Sequence, residues 1–301
     1  MTEASPPSSD STRQTIAILG MGAIGTLMAW HWRTQELFCI TRTGHDCERL
    51  LEDQQGNQHT LSLPHWSHGP LDWLIITTKA ASTLSALRPL QPWLPRINNI
   101  LLLQNGMGQQ QQVADWLNQF RQAPQLWVGI STEGAYRSSP QQVVWAGSGE
   151  TCIGPWSEAA DSTARILPNT QPVSDIHTRM RAKLAINAVI NPMTAALQCR
   201  NGELVSNDQY FQQMTRLADE IQWLYQQLNW PLDFSLAQRA ADVAQATANN
   251  RSSSLQDVLN QRPTELNYIT GFLLQQARKH QLSLPHSEHW LQQLGERSHN
   301  E

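Results

Sequence analysis

A glycine turn close to the start of the chain, Gly20-Met21-Gly22-Ala23-Ile24-Gly25, most constrains how this sequence can fold. An apolar run over 15–19 precedes the turn, and a stretch with helical periodicity over 23–33 follows it. A strand, a GxGxxG turn and a helix begin a βαβ unit. The first glycine permits the tight turn, the second lets the backbone approach a diphosphate, and the third lets the helix pack on the strand. The turn alone also fits a ligand-free loop, but in this setting it predicts a dinucleotide-binding site at a helix N-terminus.

The end of the second predicted strand, over 37–41, bears on which dinucleotide is bound. Folds that bind NAD place an acidic residue there, against the ribose 2′-hydroxyl. In this chain Arg42 occupies that place, and its guanidinium is suited to pair with a 2′-phosphate. A solvated surface arginine is the alternative, and Asp46 lies nearby in the sequence. The pattern favours NADP.

Short apolar runs alternate with helical stretches through the first half of the chain, which is typical of a parallel sheet in an α/β fold. Further buried strands are predicted over 71–77, 100–103 and 126–130, and the segments 142–146 and 150–154 are predicted to form a hairpin that closes the sheet. After Ser174 the sequence is almost entirely helix-forming. We therefore predict a loose N-terminal tail over 1–14, a Rossmann domain over 15–174 and a helical domain over 175–301.

Composition argues against several other classes of protein. The formal net charge is −4 and the basic residues are scattered, so no continuous basic surface is available for nucleic acid. The longest apolar stretch, 16–30, holds three glycines and is shorter than the roughly 20 residues of a membrane helix. The four cysteines form no CxxC pair, which argues against a disulfide framework and a metal site. Reduced thiols in the cytoplasm are expected.

A polar stripe runs along one predicted helix of the second domain. Lys183, Asn187 and Asn191 are each four residues apart, and Thr194 falls on the same face by helical periodicity. Such a face lies either in water or in a cleft where a polar ligand satisfies it. Pro192 removes a helix hydrogen bond, so a kink near Ala188 is expected.

Two further polar positions follow this stripe. Ser253 and Gln256 have the spacing of a helix capping box, and Glu265 fits an acidic residue in the first turn of a helix. These structural interpretations are at least as well supported by the residues as functional ones.

Taken together, these residues resemble the ketopantoate reductases, the 2-dehydropantoate 2-reductases that depend on NADPH. The similarity extends over nearly the whole chain. Its motifs, in family order, are the glycine turn, Thr78-Lys79-Ala80, Gln104-Asn105-Gly106-Met107-Gly108, Gly134-Ala135-Tyr136-Arg137, the segment from Lys183 to Pro192, Asn201-Gly202-Glu203-Leu204, Ser252-Ser253-Ser254-Leu255-Gln256-Asp257 and Thr264-Glu265. One departure is Glu133-Gly134-Ala135-Tyr136, where the family often has a threonine-rich run.

The resemblance implies a Rossmann domain followed by a helical domain, with substrate in the cleft between them. It assigns catalysis to Lys183 as general acid and to Glu265, which either orients the lysine or binds a substrate hydroxyl. The substrate-contacting positions are then Asn187, Asn191 and Ser253. Asn105 and Lys79 line the nicotinamide and substrate side, and Arg42 selects the 2′-phosphate. No metal is required, because the ammonium group polarises the carbonyl.

The leading hypothesis is therefore the reduction of ketopantoate to pantoate by NADPH, in pantothenate biosynthesis. One alternative is a reductase of another small branched 2-oxo acid, since one fold supports several substrates. The other is a sensor that binds NADP and has lost catalysis, against which the retained lysine and asparagines argue. The sequence does not indicate an oligomeric state.

Overall fold

The computed structural model describes residues 13–157 and 165–297. Within them the chain forms two compact units. The first takes the described residues up to Gln104 together with Gln112–Ile176, and the second takes Asn105–Gln111 together with the described residues from His177 onward. Residues 1–12 of the predicted tail lie outside the described residues. Gln14, at its end, is buried and donates from its side chain to the Arg165 carbonyl at 2.6 Å.

The described chain up to Ile176 consists mainly of strands, with helices between some of them. Its elements are β1 (Thr15–Leu19), α1 (Ala23–His31), β2 (Glu36–Ile40), β3 (Cys47–Glu52), β4 (Gln58–Leu63), β5 (Leu71–Ile76), α2 (Thr83–Leu87), β6 (Ile97–Leu102), α3 (Gln109–Leu117), β7 (Gln125–Ser131), β8 (Gly134–Arg137), β9 (Gln142–Gly147), β10 (Thr151–Pro155) and β11 (Gln171–Pro172). Two 3₁₀ helices, Ala80–Ser82 and Arg88–Arg96, flank α2.

The main sheet has seven strands in the order β11-β10-β7-β6-β5-β1-β2. Its central strands are parallel, because α1 connects β1 to β2, and helical segments connect β5 to β6 and β6 to β7. β1 pairs with β2 on one side and with β5 on the other, so the strand order reverses at β1. Ligands of open α/β sheets bind at such a reversal, outside the carboxyl ends of the strands. The glycine turn lies directly after β1.

Large aromatic side chains fill the core around this sheet. Trp73 and Trp127 pack edge to face with their ring centroids 5.5 Å apart, and both are buried. Their indole N–H groups are satisfied, since Trp73 donates to the Arg165 carbonyl and Trp127 to the Asn99 side chain, each at 3.1 Å. A buried tryptophan needs such a partner for its one donor. These two tryptophans therefore serve the core of the first unit.

The hairpin predicted over 142–146 and 150–154 is wrong, because its two strands belong to different sheets. β9 lies in a second sheet of four strands, in the order β4-β3-β9-β8. β10 instead pairs antiparallel with β7 in the main sheet. The burial of the two strands explains the difference. β10 is buried at four consecutive residues, Thr151 to Gly154, whereas β9 is buried only at Val143 and suits a sheet with one exposed face.

The chain from Ile176 onward is helical. Its elements are α4 (Ile176–Leu197), α5 (Glu203–Ser206), α6 (Asp208–Gln227), α7 (Leu236–Ala246), α8 (Ser253–Leu259), a 3₁₀ helix at Leu266–Tyr268, α9 (Thr270–Lys279) and α10 (Pro285–Arg297). α4 continues through Pro192 to its end at Leu197. The predicted fold class, an N-terminal Rossmann domain with a helical C-terminal domain, is confirmed.

Candidate active site

The three glycines of the turn meet different surroundings. Gly20 has φ of +111°, and a Cβ there would lie 2.6 Å from the backbone nitrogen of Thr78. A Cβ on Gly25 would overlap the carbonyl oxygen of Gly20 and approach the Thr77 hydroxyl to 2.6 Å. These two positions accept only glycine, because the turn, the start of α1 and the end of β5 approach one another closely.

Gly22 is different, since a Cβ built on it would have no protein atom within 4 Å. It is the N-cap residue of α1, and no side chain caps this helix end. The open space therefore lies directly at a helix N-terminus, where backbone N–H groups and the helix dipole favour an anion. A dinucleotide diphosphate fits these residues: Gly22 leaves room for close approach, and Ala23 and Ile24 form the uncapped first turn.

Arg42 lies in the turn after β2 and is exposed. Asp46, the acidic residue that could take the place of a ribose-binding acid, is engaged elsewhere, because its carboxylate accepts the backbone N–H of His65 at 2.8 Å. This engagement favours Arg42 as the residue that faces a ribose substituent. Lys79 is exposed and directly follows Thr78, whose backbone nitrogen borders Gly20.

Arg49 is a basic residue at this turn that the sequence interpretation missed. It lies on β3, and its Nε donates to the carbonyl oxygen of Met21 at 3.1 Å. The motif of dinucleotide-binding folds directs attention to the end of the second strand. Arg49 lies beyond that position, on β3, which was not predicted as a strand. A search for arginines in the segment after the second strand would have found it.

Lys183 lies on α4 and keeps only part of its surface in contact with solvent. Burial lowers the pKa of its ammonium group to about 8, and the nearby Glu265 carboxylate opposes that shift. Glu265 is itself buried, just before the 3₁₀ helix at Leu266–Tyr268. A lysine with a pKa this close to neutrality can release a proton to a substrate, which is the property required of a general acid.

The other members of the polar stripe meet the start of α8. Asn191 is buried, and its Nδ2 lies 3.5 Å from the Ser253 hydroxyl. Thr194 is fully buried and donates to the Ser252 hydroxyl at 2.7 Å.

The cap of α8 is Ser252, whose hydroxyl accepts the Leu255 N–H, so the capping box expected at Ser253 is wrong. Ser253, the first residue of α8, is exposed, and its hydroxyl lies next to the Asn191 side chain. Asn187 lies one turn away on α4 and is half-buried.

The loop that carries Asn105 is tied to the segment of Glu265. The Met107 N–H donates to the Tyr268 carbonyl at 2.7 Å, and the Tyr268 N–H donates to the Glu265 carbonyl at 2.8 Å. Gly106 has φ of +81°, and a Cβ there would lie 2.5 Å from the same Tyr268 oxygen. Only glycine permits this contact. The second unit therefore brings Asn105 and Glu265 into one hydrogen-bonded framework.

Two buried glutamines hold the same loop from its other side. Gln109 Nε2 donates to the carbonyls of Asn105 and Gly106, both at 3.3 Å. Gln110 bonds in both directions: its Nε2 donates to the Gly106 carbonyl and its Oε1 accepts the Gly108 N–H, both at 3.1 Å. The glutamine run at the start of α3 thus fixes the backbone that presents Asn105.

Within residues 13–157 and 165–297, no group of three His, Cys, Asp or Glu side chains is placed to hold a metal ion. No helix in these residues is long and apolar enough to cross a membrane.

Comparison with known proteins gives family matches for both halves of the chain. The model described as "Ketopantoate reductase PanE/ApbA" matches residues 16–158, and the one described as "Ketopantoate reductase PanE/ApbA C terminal" matches residues 175–297. A 2-dehydropantoate 2-reductase of Vibrio cholerae is 32% identical over 295 residues, covering 93% of this chain and 96% of that protein.

Solved structures show the same fold. A Bacillus subtilis protein described as "Probable 2-dehydropantoate 2-reductase" superposes with a TM-score of 0.75 at 27% identity, covering 93% of this chain and 99% of that one. A D-mandelate dehydrogenase solved with NADH and anilino(oxo)acetate superposes with a TM-score of 0.82, covering 95% of this chain and 98% of its own. Its 18% identity shows a shared fold alone.

Proposed function

The chain belongs to the ketopantoate reductase family, and from that premise we propose that it reduces ketopantoate to pantoate with NADPH. The observation that carries the proposal is the placement of Lys183 opposite Glu265 on the same unit as Asn191 and Ser253. This unit combines a proton donor of lowered pKa with amide and hydroxyl groups suited to a small hydroxy acid. The first unit supplies a glycine turn that fits a dinucleotide.

We assign the cofactor to residues of the first unit. Backbone N–H groups at Ala23 and Ile24 would hold the diphosphate beside the open face of Gly22, whose own N–H donates to the Gly20 carbonyl at 2.8 Å. Arg42 would hold the 2′-phosphate. Lys79, beside the turn, would face the nicotinamide side. When bound, NADPH supplies the hydride that reduces the 2-oxo carbon.

Lys183 performs the protonation step. Its ammonium group donates a hydrogen bond to the 2-oxo oxygen, stabilises the negative charge that develops there, and then transfers the proton. Glu265 raises the fraction of Lys183 that is charged at neutral pH, against the effect of burial. A buried carboxylate in this place also orients the ammonium group toward the substrate.

Asn187, Asn191 and Ser253 bind the substrate, and Asn105 orients it. Their amide and hydroxyl groups offer both donors and acceptors, which match a carboxylate and a terminal hydroxyl. Holding both ends of a flexible substrate lowers the entropic cost of reaching the reactive geometry. A branched 2-oxo acid without the terminal hydroxyl would leave part of this polar surface unpaired.

The four cysteines support a reducing compartment such as the cytoplasm, because all four are buried and none of them forms a disulfide bond. A disulfide framework is typical of oxidising compartments.

The direct test is turnover by the purified chain. We expect ketopantoate to cause loss of reduced-cofactor absorbance, and mass spectrometry to identify pantoate as the product. Lys183→Ala should lower kcat by about 100-fold or more, as expected for loss of a general acid. Lys279→Ala is the matched control, because Lys279 is exposed in the last turn of α9 and should leave kcat unchanged.

Other outcomes separate the alternatives. A higher kcat/KM for a branched 2-oxo acid without the terminal hydroxyl would keep the reductase class and overturn ketopantoate as the substrate. NADPH binding without turnover of either acid would favour a sensor. A normal rate in Lys183→Ala would remove the proposed role of the lysine.

A further inference from the structure

Arg49 lies at the glycine turn with its guanidinium group fixed in place. Its Nε donates to the Met21 carbonyl at 3.1 Å, and its Nη1 donates to the Glu48 carbonyl at 2.7 Å. The side chain is partly buried, and β3, which carries it, packs against α1. An arginine in such a position has given up much of its conformational freedom before any ligand arrives.

In the described part of the chain, no carboxylate lies within ion-pair distance of the Arg49 guanidinium group. The carboxylate of Asp46, which precedes β3 in the sequence, accepts the His65 N–H. Two carbonyl groups occupy Nε and Nη1, which leaves Nη2 as a further donor. A partly desolvated guanidinium without a counter-anion is costly unless an anion binds nearby.

The space next to Arg49 is the one that an anion would enter. Met21, which Arg49 holds, is bonded directly to Gly22, and the side of Gly22 where a Cβ would stand is open for at least 4 Å. The uncapped N-terminus of α1 starts at the same residue. The Arg49 guanidinium group therefore contacts the residue that directly precedes both the open face of Gly22 and the start of α1.

We propose that Arg49 is a cofactor-binding residue that donates from Nη2 to the diphosphate of the dinucleotide. The inference rests on the proposed NADPH dependence and adds a binding residue to it. Arg49 and Arg42 then divide the work: Arg49 binds the phosphates that NADH and NADPH share, and Arg42 binds the phosphate that only NADPH carries. Arg49 sets affinity, and Arg42 sets cofactor choice.

The test is a fluorescence titration of the ligand-free chain with NADPH and with NADH. Arg49→Gln keeps a donor for the Met21 carbonyl but removes the charge, whereas Arg49→Lys keeps the charge. We expect Arg49→Gln to raise both Kd values by the same factor, about tenfold or more, and Arg49→Lys to restore most of the affinity. Adenosine, which has no phosphate, should bind all variants equally.

Arg33→Gln is the matched control, because the Arg33 guanidinium also donates to a backbone carbonyl, that of Trp30, at the opposite end of α1. It should leave both Kd values unchanged. Wild-type affinity in Arg49→Gln would reduce Arg49 to a brace of the turn and overturn the inference. A loss confined to NADPH would also overturn the assignment to the diphosphate. If the wild-type chain bound neither dinucleotide, the proposed function itself would fail.

Discussion

At the scale of single residues, the proposed chemistry depends on a lysine whose pKa two opposing influences keep close to neutral pH. Burial favours the neutral amine of Lys183, while the Glu265 carboxylate favours the ammonium form. The resulting pKa of about 8 leaves most of the lysine protonated at neutral pH and yet lowers the cost of releasing the proton. An ordinary surface lysine would be charged but a much weaker acid.

The pH dependence of the reaction follows from this pKa. Lys183 is charged below pH 8 and neutral above it, so reduction that requires its proton should be fastest on the acidic side. We expect kcat/KM for ketopantoate to be level up to about pH 8 and to fall about tenfold per unit above it. The measurement is initial rate at saturating NADPH across that range. A profile that stays level well above pH 9, with the fold intact by circular dichroism, would contradict a general acid at Lys183.

Glu265→Gln tests how the Glu265 carboxylate affects the pKa of Lys183. Removing the carboxylate takes away the contribution that raises the pKa of Lys183, so the descending limb should move to lower pH. The wild-type profile is the control, and the shift of the midpoint is the quantity to compare. A limb that did not move would leave Glu265 without an electrostatic role and would favour direct binding of a substrate hydroxyl.

The preference for NADPH over NADH is also proposed to depend on a single residue, Arg42. Arg42→Gln should raise the KM for NADPH by about tenfold or more and leave the KM for NADH nearly unchanged, because only NADPH presents a 2′-phosphate. Steady-state kinetics with each cofactor measures the ratio. Equal effects on both cofactors would show that Arg42 does not contact the 2′-phosphate.

At the scale of elements, the glycine turn contains two kinds of constraint within six residues. The turn could be predicted from sequence because its spacing is local, but the close approach of Thr77 and Thr78, more than fifty residues away, to Gly20 could not. A Cβ on Gly25 would overlap Gly20, whereas a Cβ on Gly22 would meet only open space. Packing of the protein therefore explains one glycine, and space for a ligand explains the other.

A pair of alanine variants separates these two constraints. Gly22→Ala should leave the melting temperature of the ligand-free chain nearly unchanged and raise the Kd for NADPH by about tenfold or more, because the methyl group occupies the approach of the diphosphate. Gly25→Ala should instead lower the melting temperature, because helix and turn must move apart. Thermal melts with and without NADPH provide both measurements. Normal NADPH affinity in Gly22→Ala would contradict a diphosphate at this position.

The glutamine run at the start of α3 holds the loop that carries Asn105. Gln110→Met keeps the volume of a buried side chain but removes both of its hydrogen bonds to the Asn105 loop. We expect kcat/KM to fall by about tenfold, and we expect no further loss when the same change is made in Asn105→Ala, since residues that act through one another are not additive. Gln112→Met is the matched control, because Gln112 is exposed in the same run. Additive losses would contradict positioning through Asn105.

Most strands of the main sheet could be predicted because continuous apolar runs mark them, and β1 has the predicted bounds. The two-residue strand β11 was not predicted. The second sheet could not be predicted, since β4 has no continuous apolar run and is half-exposed, and β3 pairs with β9 about ninety residues later. The polar stripe on α4 could be predicted from the spacing of its residues alone. Its contacts with Ser252 and Ser253 depend on tertiary packing across about sixty residues, for which a single sequence contains no signal.

At the scale of the whole molecule, the proposed ligands are assigned to different units of the chain. Binding stabilises the native state by RT ln(1 + [L]/Kd), about 2.7 kcal/mol at a hundred times Kd. Hydrogen exchange of the full chain can localise that stabilisation. We expect NADPH to slow exchange most strongly in peptides containing Gly20–Gly25 and Arg42, and added pantoate to slow it around Lys183 and Ser253. Gly22→Ala should lose the first effect and serve as the control. If NADPH left the glycine turn unprotected, the assignment of the cofactor to the first unit would be wrong.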